Sequence, residues 1–215
     1  MKYRLLVFDW DGTIIDSAST IAECICEASR ELGLEIPELE RARHVIGLGL
    51  QDAMRIVVPK LPAQRYPEFV ASYRKHFTAR KDSMQLFAGM RELLENLSKK
   101  HLLAIATGKS RRGLDRDIEF HGLKPLFAAS RCADETHPKP HPAMLVELMA
   151  DLGVESDASL MIGDTSHDME MARAASVAAL AVTYGAHAED GLRVCGPLRC
   201  FSTVEELQAW LKANG

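Results

Sequence analysis

The sequence predicts a doubly wound α/β fold, in which helices cover both faces of a parallel sheet, with a small all-helical segment inserted after the first strand. Three observations lead to this expectation. Short apolar runs alternate with helical patterns along most of the chain, as in folds built from strand–helix–strand units. The runs are apolar at nearly every position, which is typical of strands buried on both faces. Between about residues 17 and 82 the alternation stops, and only helical patterns occur.

The predicted strands are short runs of strand-forming apolar residues. The first covers residues 3–9 and is followed by the turn signal Asp11-Gly12. Four further runs have the same character, at 102–107, 127–130, 160–162 and 178–184. Together they predict the strands of one parallel sheet.

Helical patterns separate these strands. Apolar residues recur at helical spacing over 89–100, and a polar helix is predicted over 110–121. A third pattern, 142–152, begins with Pro142 and ends before Gly153, which is the usual placement of these two residue types at helix ends.

The segment after the first strand contains no convincing strand. An apolar stripe runs from Ile21 to Leu32 and ends at Gly33, and further helices are predicted at about 50–58 and 67–80. We interpret them as a small helical domain tethered to the sheet by two crossings. The expected domains are residues 1–16 with 84–215 for the core and residues 17–83 for the insertion.

The composition of the 215-residue chain is average for a globular protein, with 47% hydrophobic and 26% charged residues. A formal net charge of −4 offers no electrostatic footprint for nucleic acid or an anionic membrane. No apolar run approaches the roughly 18 residues of a membrane span, and the run at 5–8 is too short for a signal-peptide core. Five scattered cysteines suit small buried hydrophobes in a reducing compartment, so we expect a cytoplasmic protein.

Polar side chains stand at the ends of three predicted strands: Asp9, Thr107 and Asp164. In open parallel sheets ligands bind beyond the carboxyl ends of the strands, so these side chains are expected to converge on one edge. Each residue alone can be explained as a cap of the following helix. The convergence of all three favours a functional site.

Asp9 and Asp11 form the densest polar element. Strand alternation places their carboxylates on one side and Trp10 on the other, toward the core. Two carboxylates this close repel each other unless a cation or a shared proton lies between them. Gly12 permits the tight turn by which the chain leaves the strand.

Asp164 and Asp168 add two carboxylates four residues apart. Three or four aspartates at one edge of a sheet make an oxygen-only site, which suits Mg²⁺ together with water and a substrate phosphate. For Asp168 alone, an interaction with the dipole of a helix N-terminus is an equally good explanation.

A site this acidic would repel an anionic substrate unless it also contained a cation. Lys139 is the candidate, because the prolines on both sides of it restrict the loop and its ammonium can bind phosphate and pair with a carboxylate. His137 and His141 lie close by, but the prolines prevent a helical histidine pair, so loop histidines are favoured over a zinc site. Thr107-Gly108 adds a hydroxyl and an unhindered amide at a helix start, a modest anion site.

Taken in order along the chain, these residues resemble the haloacid dehalogenase-like phosphatase superfamily. The shared elements are an Asp-x-Asp-Gly-Thr motif at 9–13, Thr107, Lys139, and Gly163-Asp164 with Asp168. The resemblance spans essentially the whole chain and is strongest to the branch with a helical cap after the first motif, which includes phosphoglycolate phosphatase-like enzymes. It implies a Rossmann-like core and Mg²⁺-dependent hydrolysis of a small phosphate monoester through an aspartyl-phosphate.

The resemblance also implies a role for each residue at a motif position. Asp9 would be the nucleophile, and Asp11 the general acid that protonates the leaving alcohol and later activates water. Thr107, Gly108 and Lys139 would bind the phosphoryl oxygens.

The implied Mg²⁺ ligands are Asp9, Asp164 and the backbone carbonyl of Asp11, with Asp168 supporting them. A physical reason agrees with this arrangement. A carboxylate becomes a useful nucleophile toward phosphorus when a metal ion and a lysine screen the negative charges of both partners.

Two regions depart from the family pattern or match it only weakly. Gly108 stands where many relatives carry Asn, and the next residue, Lys109, is a candidate contact to an anionic leaving group. The loop that contains Arg43, Gly47 and Gly49 resembles the substrate-facing cap loop of relatives, which makes these three residues candidates for substrate specificity. For Lys109 a solvated helix charge is the favoured explanation, and for the loop an ordinary interhelical turn explains the pattern almost as well.

The alternatives to a phosphatase differ from it in particular residues. Sugar-phosphate mutases usually carry a histidine just after the first motif, and 17–23 contains none, so a mutase is the second choice. Dehalogenases lack an acid at the position of Asp11. Receiver domains are shorter and carry their phosphorylated aspartate after a middle strand, and a binding protein without activity would not need the complete set of aspartates and lysine. The sequence predicts neither the physiological substrate nor the oligomeric state.

Overall fold

The computed structural model describes residues 2–80 and 84–214. Within these residues the sheet consists of six strands: β1 (Leu5–Phe8), β2 (Leu102–Thr107), β3 (Ala129–Cys132), β4 (Ser159–Gly163), β5 (Ala178–Val182) and β6 (Arg199–Phe201). Ten α-helices accompany them in the same part of the chain: α1 (Ala18–Glu31), α2 (Leu39–His44), α3 (Leu50–Val57), α4 (Tyr66–Arg80), α5 (Met90–Leu97), α6 (Arg111–Phe120), α7 (Ala143–Leu152), α8 (Ser166–Ala174), α9 (Glu189–Val194) and α10 (Val204–Asn214).

The sheet is parallel, and its spatial order is β3-β2-β1-β4-β5-β6. β1 therefore lies inside the sheet, where Leu5 pairs with Leu102 on one side and with Ser159 on the other. The chain builds outward from β1 to β3, returns to the other side of β1, and continues outward to β6. This reversal confirms the doubly wound α/β prediction and places the carboxyl ends of β1, β2 and β4 side by side.

The unbroken apolar character of β1 follows from burial on both of its faces. Leu6 and Phe8 belong to one hydrophobic cluster, and Leu5 and Val7 belong to the other. Because successive side chains of a strand point to opposite faces, every position of a covered strand needs an apolar residue.

The five strands that the sequence predicts all occur, with ends that differ by a few residues. The sequence patterns do not predict β6 or the helices α2, α9 and α10. β6 is a three-residue strand at the edge of the sheet and begins with the exposed Arg199, so it has no apolar run. α2 is six residues long and buries only Ala42, so it has no apolar stripe.

Helices α1 to α4 occupy the predicted insertion, and the two crossings that connect it to the sheet run side by side. The N–H of Asp16 donates to the carbonyl of Gln85 at 2.9 Å, and that of Phe87 donates to the carbonyl of Ile14 at 3.1 Å. Buried side chains of the insertion are continuous with the hydrophobic cluster on one face of the sheet. The predicted domain boundary at residue 83 lies outside the described residues.

None of the helices in the described ranges combines the length and the apolarity needed to cross a membrane. All five cysteines are free; Cys24 and Cys132 are buried and the other three are half-buried. Burial raises the pKa of Cys24 to about 11 and that of Cys132 to about 12. Both thiols therefore stay protonated near neutral pH and behave as small hydrophobes.

Candidate active site

Three of the residues singled out in the sequence meet at the carboxyl edge of the sheet, because they follow three adjacent strands. Asp9 comes directly after β1, Thr107 ends β2, and Asp164 comes directly after β4. All three side chains are buried. Polar groups that are far apart in the sequence thus share one edge of the sheet, where parallel α/β folds bind their ligands.

The loops around Asp164 approach it so closely that two neighbouring positions admit only glycine. Gly12 has φ 83°, and a Cβ added there would lie 2.2 Å from Asp164 Oδ2. A Cβ at Gly185, which follows β5, would lie 2.3 Å from the same oxygen. Backbone from the loops after β1 and β5 therefore encloses this carboxylate.

Two hydrogen bonds hold the Asp164 carboxylate in place. The Thr13 hydroxyl donates to Oδ1 at 2.8 Å, and the backbone N–H of Ala186 donates to Oδ2 at 2.7 Å. The sequence motif includes Thr13 but assigns it no contact, and Ala186 carries no sequence signal because its contribution is a backbone group. Asp164 therefore has a fixed orientation toward the site.

Lys139 is completely buried and bridges two of the aspartates. Its Nζ lies 2.6 Å from Asp168 Oδ1 and 2.7 Å from Asp9 Oδ1. The other oxygen of Asp168 accepts hydrogen bonds from the backbone N–H of Thr165, at 3.0 Å, and from its hydroxyl, at 2.7 Å. Asp168 thus forms the capping box of α8 and also anchors the lysine.

Burial makes these carboxylates difficult to ionise. Desolvation raises the pKa of Asp9 well above its ordinary value, against the opposing effect of Lys139, and the charges of Asp168 and Asp164 raise it further. Burial, followed by repulsion from Asp168, raises the pKa of Asp164 to about 7. For Lys139 burial alone would lower the pKa, but Asp168 and Asp9 together raise it above its ordinary value. One ammonium among three carboxylates leaves an excess of negative charge.

The donor set fits a hard divalent cation. Asp9, Asp164 and Asp168 each offer a carboxylate oxygen, and the three oxygens lie within 4.8 Å of one another. Asp9 Oδ2 is buried and accepts no hydrogen bond from any described residue. Oxygen-only ligands suit Mg²⁺, and a divalent cation here would neutralise the excess charge and provide a partner for Asp9.

The Asp11 side chain lies apart from this cluster and is held by two other residues. Its Oδ1 accepts a hydrogen bond from the Ser17 hydroxyl at 2.8 Å. The ammonium of Lys109 lies 3.1 Å from Asp11 Oδ2 and 2.9 Å from Asp117 Oδ2, and it also lies 4.9 Å from the centre of the Phe77 ring of α4. Although burial would lower the pKa of Lys109, Asp11 and Asp117 raise it, so Lys109 serves as a charged clamp on Asp11.

Gly108 touches the insertion. A Cβ at this position would lie 2.6 Å from the carbonyl oxygen of Gly47 and 2.8 Å from that of Leu48. A Cβ at Gly49 would lie 2.8 Å from Cβ of Pro138, in the loop that carries Lys139. The absence of a side chain at position 108 therefore lets the loop of the insertion rest directly on the site.

Arg43 lies outside the site, although Gly47 of the same loop lines it. Its guanidinium donates to the Ser19 hydroxyl of α1 at 2.6 Å, and it is absent from the described lining of the cavity in front of Asp9, to which Gly47 contributes.

A histidine contact for which the sequence carries no signal also joins the insertion to the core. The carbonyl of His44, at the end of α2, accepts hydrogen bonds from His167 Nε2 at 2.8 Å and from His187 Nε2 at 3.1 Å. Terminal helix carbonyls lack partners within the helix, and here two core histidines supply them. Burial lowers the pKa of His167 and lowers that of His187 to about 4, so both rings are neutral donors near pH 7.

A cavity of about 610 Å³ opens in front of this arrangement. Asp9, Asp11, Thr107 and Gly108 line one end of it, and the rest is lined by side chains of the insertion together with Lys109 and residues at the start of α6. Thr107 Oγ1 accepts a hydrogen bond from the backbone N–H of Lys109 at 3.2 Å, which leaves its own O–H available to donate to an anion.

The fold and this site define an α/β enzyme with a buried acidic centre facing an inserted helical segment. Residues 6–182 match the family model of the haloacid dehalogenase-like hydrolases. The chain therefore belongs to this family, as its sequence motifs indicate.

Two curated relatives agree with this assignment, and a solved structure shares the fold. The chain is 33% identical over 209 residues to "Probable phosphatase IndB" of Dickeya dadantii, covering 94% of this chain and 91% of that protein. It is 30% identical over 196 residues to a phosphoglycolate phosphatase of Aliivibrio fischeri, covering 85% of each. The crystal structure of a hydrolase from Pseudomonas syringae superposes with a TM-score of 0.90 at 20% identity, covering 99% of both chains, and shares the fold.

Proposed function

We propose that this chain is a Mg²⁺-dependent phosphatase that hydrolyses a small phosphate monoester through an aspartyl-phosphate on Asp9. The observation that carries the proposal is the state of the Asp9 carboxylate. It is buried beside Lys139, one of its oxygens has no hydrogen-bond donor among the described residues, and it faces a cavity large enough for a substrate. The relatives named as phosphatases support the same reaction class.

Asp9 would attack the phosphorus atom, and neighbouring residues would hold the phosphoryl group in line. Lys139, fixed by its ion pair with Asp168, would draw a phosphoryl oxygen toward Asp9. The hydroxyl of Thr107 and the backbone N–H of Gly108 would donate to the other oxygens. A Mg²⁺ ion held by Asp9, Asp164 and the Asp11 carbonyl would reduce the repulsion between the carboxylate and the phosphate.

Asp11 would transfer protons in both halves of the reaction. It protonates the departing alcohol first and then accepts a proton from the water that attacks the aspartyl-phosphate. The ammonium of Lys109 lies 3.1 Å from this carboxylate and would hold it at the cavity. Ser17 fixes the orientation of the carboxylate throughout.

We further propose that residues 17–83 act as a cap over the site. The contacts of the Gly47–Leu48 backbone with Gly108, and of His44 with two core histidines, support this role. A closed cap would exclude bulk water while the phosphoryl group is transferred.

The test is phosphate release from p-nitrophenyl phosphate, with and without Mg²⁺, by the wild type and by Asp9→Asn. We expect turnover that needs Mg²⁺ and a loss of roughly 10³-fold or more in kcat for the variant. Asp16→Asn is the matched control, because Asp16 is an exposed carboxylate outside the site, and it should retain activity. Turnover that survives Asp9→Asn would contradict the proposed nucleophile.

A further inference from the structure

The cavity in front of Asp9 extends well beyond the space that a phosphoryl group needs. Its volume of about 610 Å³ corresponds to roughly twenty water molecules at about 30 Å³ each. The phosphoryl group would occupy the end formed by Asp9, Thr107 and Gly108. The remaining space, between the insertion and α6, is where the leaving group would lie, and a two-carbon leaving group would leave most of it to water.

The wall of this remaining space is largely apolar. One face of α4 contributes Val70, Tyr73 and Phe77, at helical intervals of three and four residues, and α1 contributes Ile21 and Ile25 at the same spacing. Apolar and aromatic walls favour a ligand with an apolar body, because its contact removes hydrocarbon surface from water.

Two arginines at the same cavity lack partners. Arg74 of α4 and Arg112 of α6 both line the cavity and are exposed, and neither makes a hydrogen bond or an ion pair with any described residue. Other arginines of the same two helices do have acidic partners. Arg80 of α4 pairs with Glu27 at 2.7 Å, and Arg116 of α6 pairs with Asp117 at 2.9 Å. Each of the two helices thus presents one uncompensated guanidinium to the cavity.

The acidic residues of the cavity lie only at its phosphoryl end. Among the described lining residues, Asp9 and Asp11 are the only carboxylates. An unpaired guanidinium that faces a space without acids attracts an anion, and it binds carboxylate or phosphate through two parallel hydrogen bonds.

We propose, on the basis of the phosphatase function above, that the preferred substrates are phosphate monoesters whose leaving group combines an apolar, ring-sized body with an anionic group at its far end. The body contacts the apolar faces of α1 and α4, and the anion pairs with Arg74 and Arg112. Phosphoglycolate carries an anion but no such body, so this chain prefers larger substrates than that compound.

The experiment compares kcat/KM for three substrates with Mg²⁺ present: 4-carboxyphenyl phosphate, phenyl phosphate and phosphoglycolate. We expect 4-carboxyphenyl phosphate to exceed each of the other two by about tenfold or more, the factor that a charge-assisted hydrogen bond typically supplies. In the double variant Arg74→Gln/Arg112→Gln the ratio between the two aromatic esters should fall toward unity. Arg30→Gln, an exposed cap arginine that does not line the cavity, should keep the wild-type ratio.

A second variant tests the apolar wall. Val70 is half-buried on α4, and Val70→Trp narrows the cavity, so it should lower kcat/KM for both aromatic esters relative to phosphoglycolate. Circular dichroism would check that Val70→Trp is folded. If Val70→Trp does not fold, Val70→Ala is used in its place; it enlarges the cavity and should retain the preference for the aromatic esters over phosphoglycolate.

The outcomes separate the two proposals. A wild type that prefers phosphoglycolate, or an unchanged ratio in the arginine double variant, would overturn the inference on substrate class and leave the phosphatase function standing. If none of the three esters is hydrolysed, the phosphatase function itself is contradicted, and the inference falls with it.

Discussion

At the scale of single residues, the site depends on positions where no side chain fits. The glycines at 12 and 185 let two loops close around Asp164, and a Cβ at Gly163 would lie 2.3 Å from Cγ of Asp168. Gly108 has the same property toward the insertion. At positions 12, 163 and 185 an added Cβ would meet a buried aspartate side chain of the site, and at 108 it would meet backbone carbonyls, so even one added carbon atom must displace part of the site or of the loop that rests on it.

Gly108→Asn tests this at the contact between the core and the insertion. An added Cβ would collide with the carbonyl oxygens of Gly47 and Leu48, so the loop would have to retreat from the site. We expect kcat/KM for p-nitrophenyl phosphate to fall roughly 10- to 100-fold, since displacements of about 1 Å have effects of this size. Gly191→Ala, where an added Cβ meets nothing within 4 Å, is the control. Unchanged kinetics in Gly108→Asn would show that the contact is not needed for turnover.

Individual site residues could be predicted where their side chains follow a recognisable strand. Asp9, Thr107 and Asp164 are of this kind, because the apolar run before each one places it at the carboxyl edge. Ala186 could not be predicted, since it contributes only its N–H, and almost any residue could do so. Lys109 was expected near the leaving group, but its contact with Asp11 depends on the packing of α4 and α6, which periodicity does not describe.

At the scale of elements, polar contacts join α1 to α4 along the insertion. Glu31 accepts hydrogen bonds from Lys75, Ser72 and His76, each at 2.8 Å. These bonds, that from Lys75 first, lower the pKa of Glu31 from its ordinary value of 4.5 to about 2.

The hydrogen bonds of Glu31 predict that the stability of the protein depends on pH. A carboxyl group whose pKa is lowered by folding stabilises the folded state above its unfolded pKa, and that contribution is lost as the pH falls toward the folded value. The free energy of unfolding of the wild type should therefore exceed that of Glu31→Gln near neutral pH. The difference should shrink between about pH 5 and pH 3. Urea titrations across this range measure it, and a difference that stays constant with pH would contradict the assignment.

The elements themselves were predictable to different degrees. β2 occurs over the predicted residues 102–107 because a strand buried on both faces has an unmistakable apolar run. β6 and α2 are short and mostly exposed, so packing against neighbours stabilises them and their own sequences carry little signal.

At the scale of the whole molecule, the three-carboxylate cluster links metal binding to stability. A cation that binds only the folded state stabilises it, by about 2.7 kcal/mol at a concentration 100 times the Kd. For a chain of this size we expect Mg²⁺ to raise the melting temperature by roughly 5–10 °C. Asp164→Asn should reduce this shift, whereas Asp157→Asn should preserve it, because Asp157 is exposed and lies before β4, at the edge of the sheet opposite the site. Differential scanning calorimetry measures the shift, and equal shifts in both variants would contradict the assigned ligands.

The position of β1 inside the sheet has a consequence for how the chain is made. β1 is synthesised before both of its neighbours, β2 and β4, which follow it roughly 100 and 150 residues later in the chain. Until then both of its edges expose unpaired backbone groups, which are prone to association with other chains. Because the native pairings of β1 are distant in sequence, folding should be slow, and the newly made β1 segment should depend on chaperones until β2 and β4 have been synthesised.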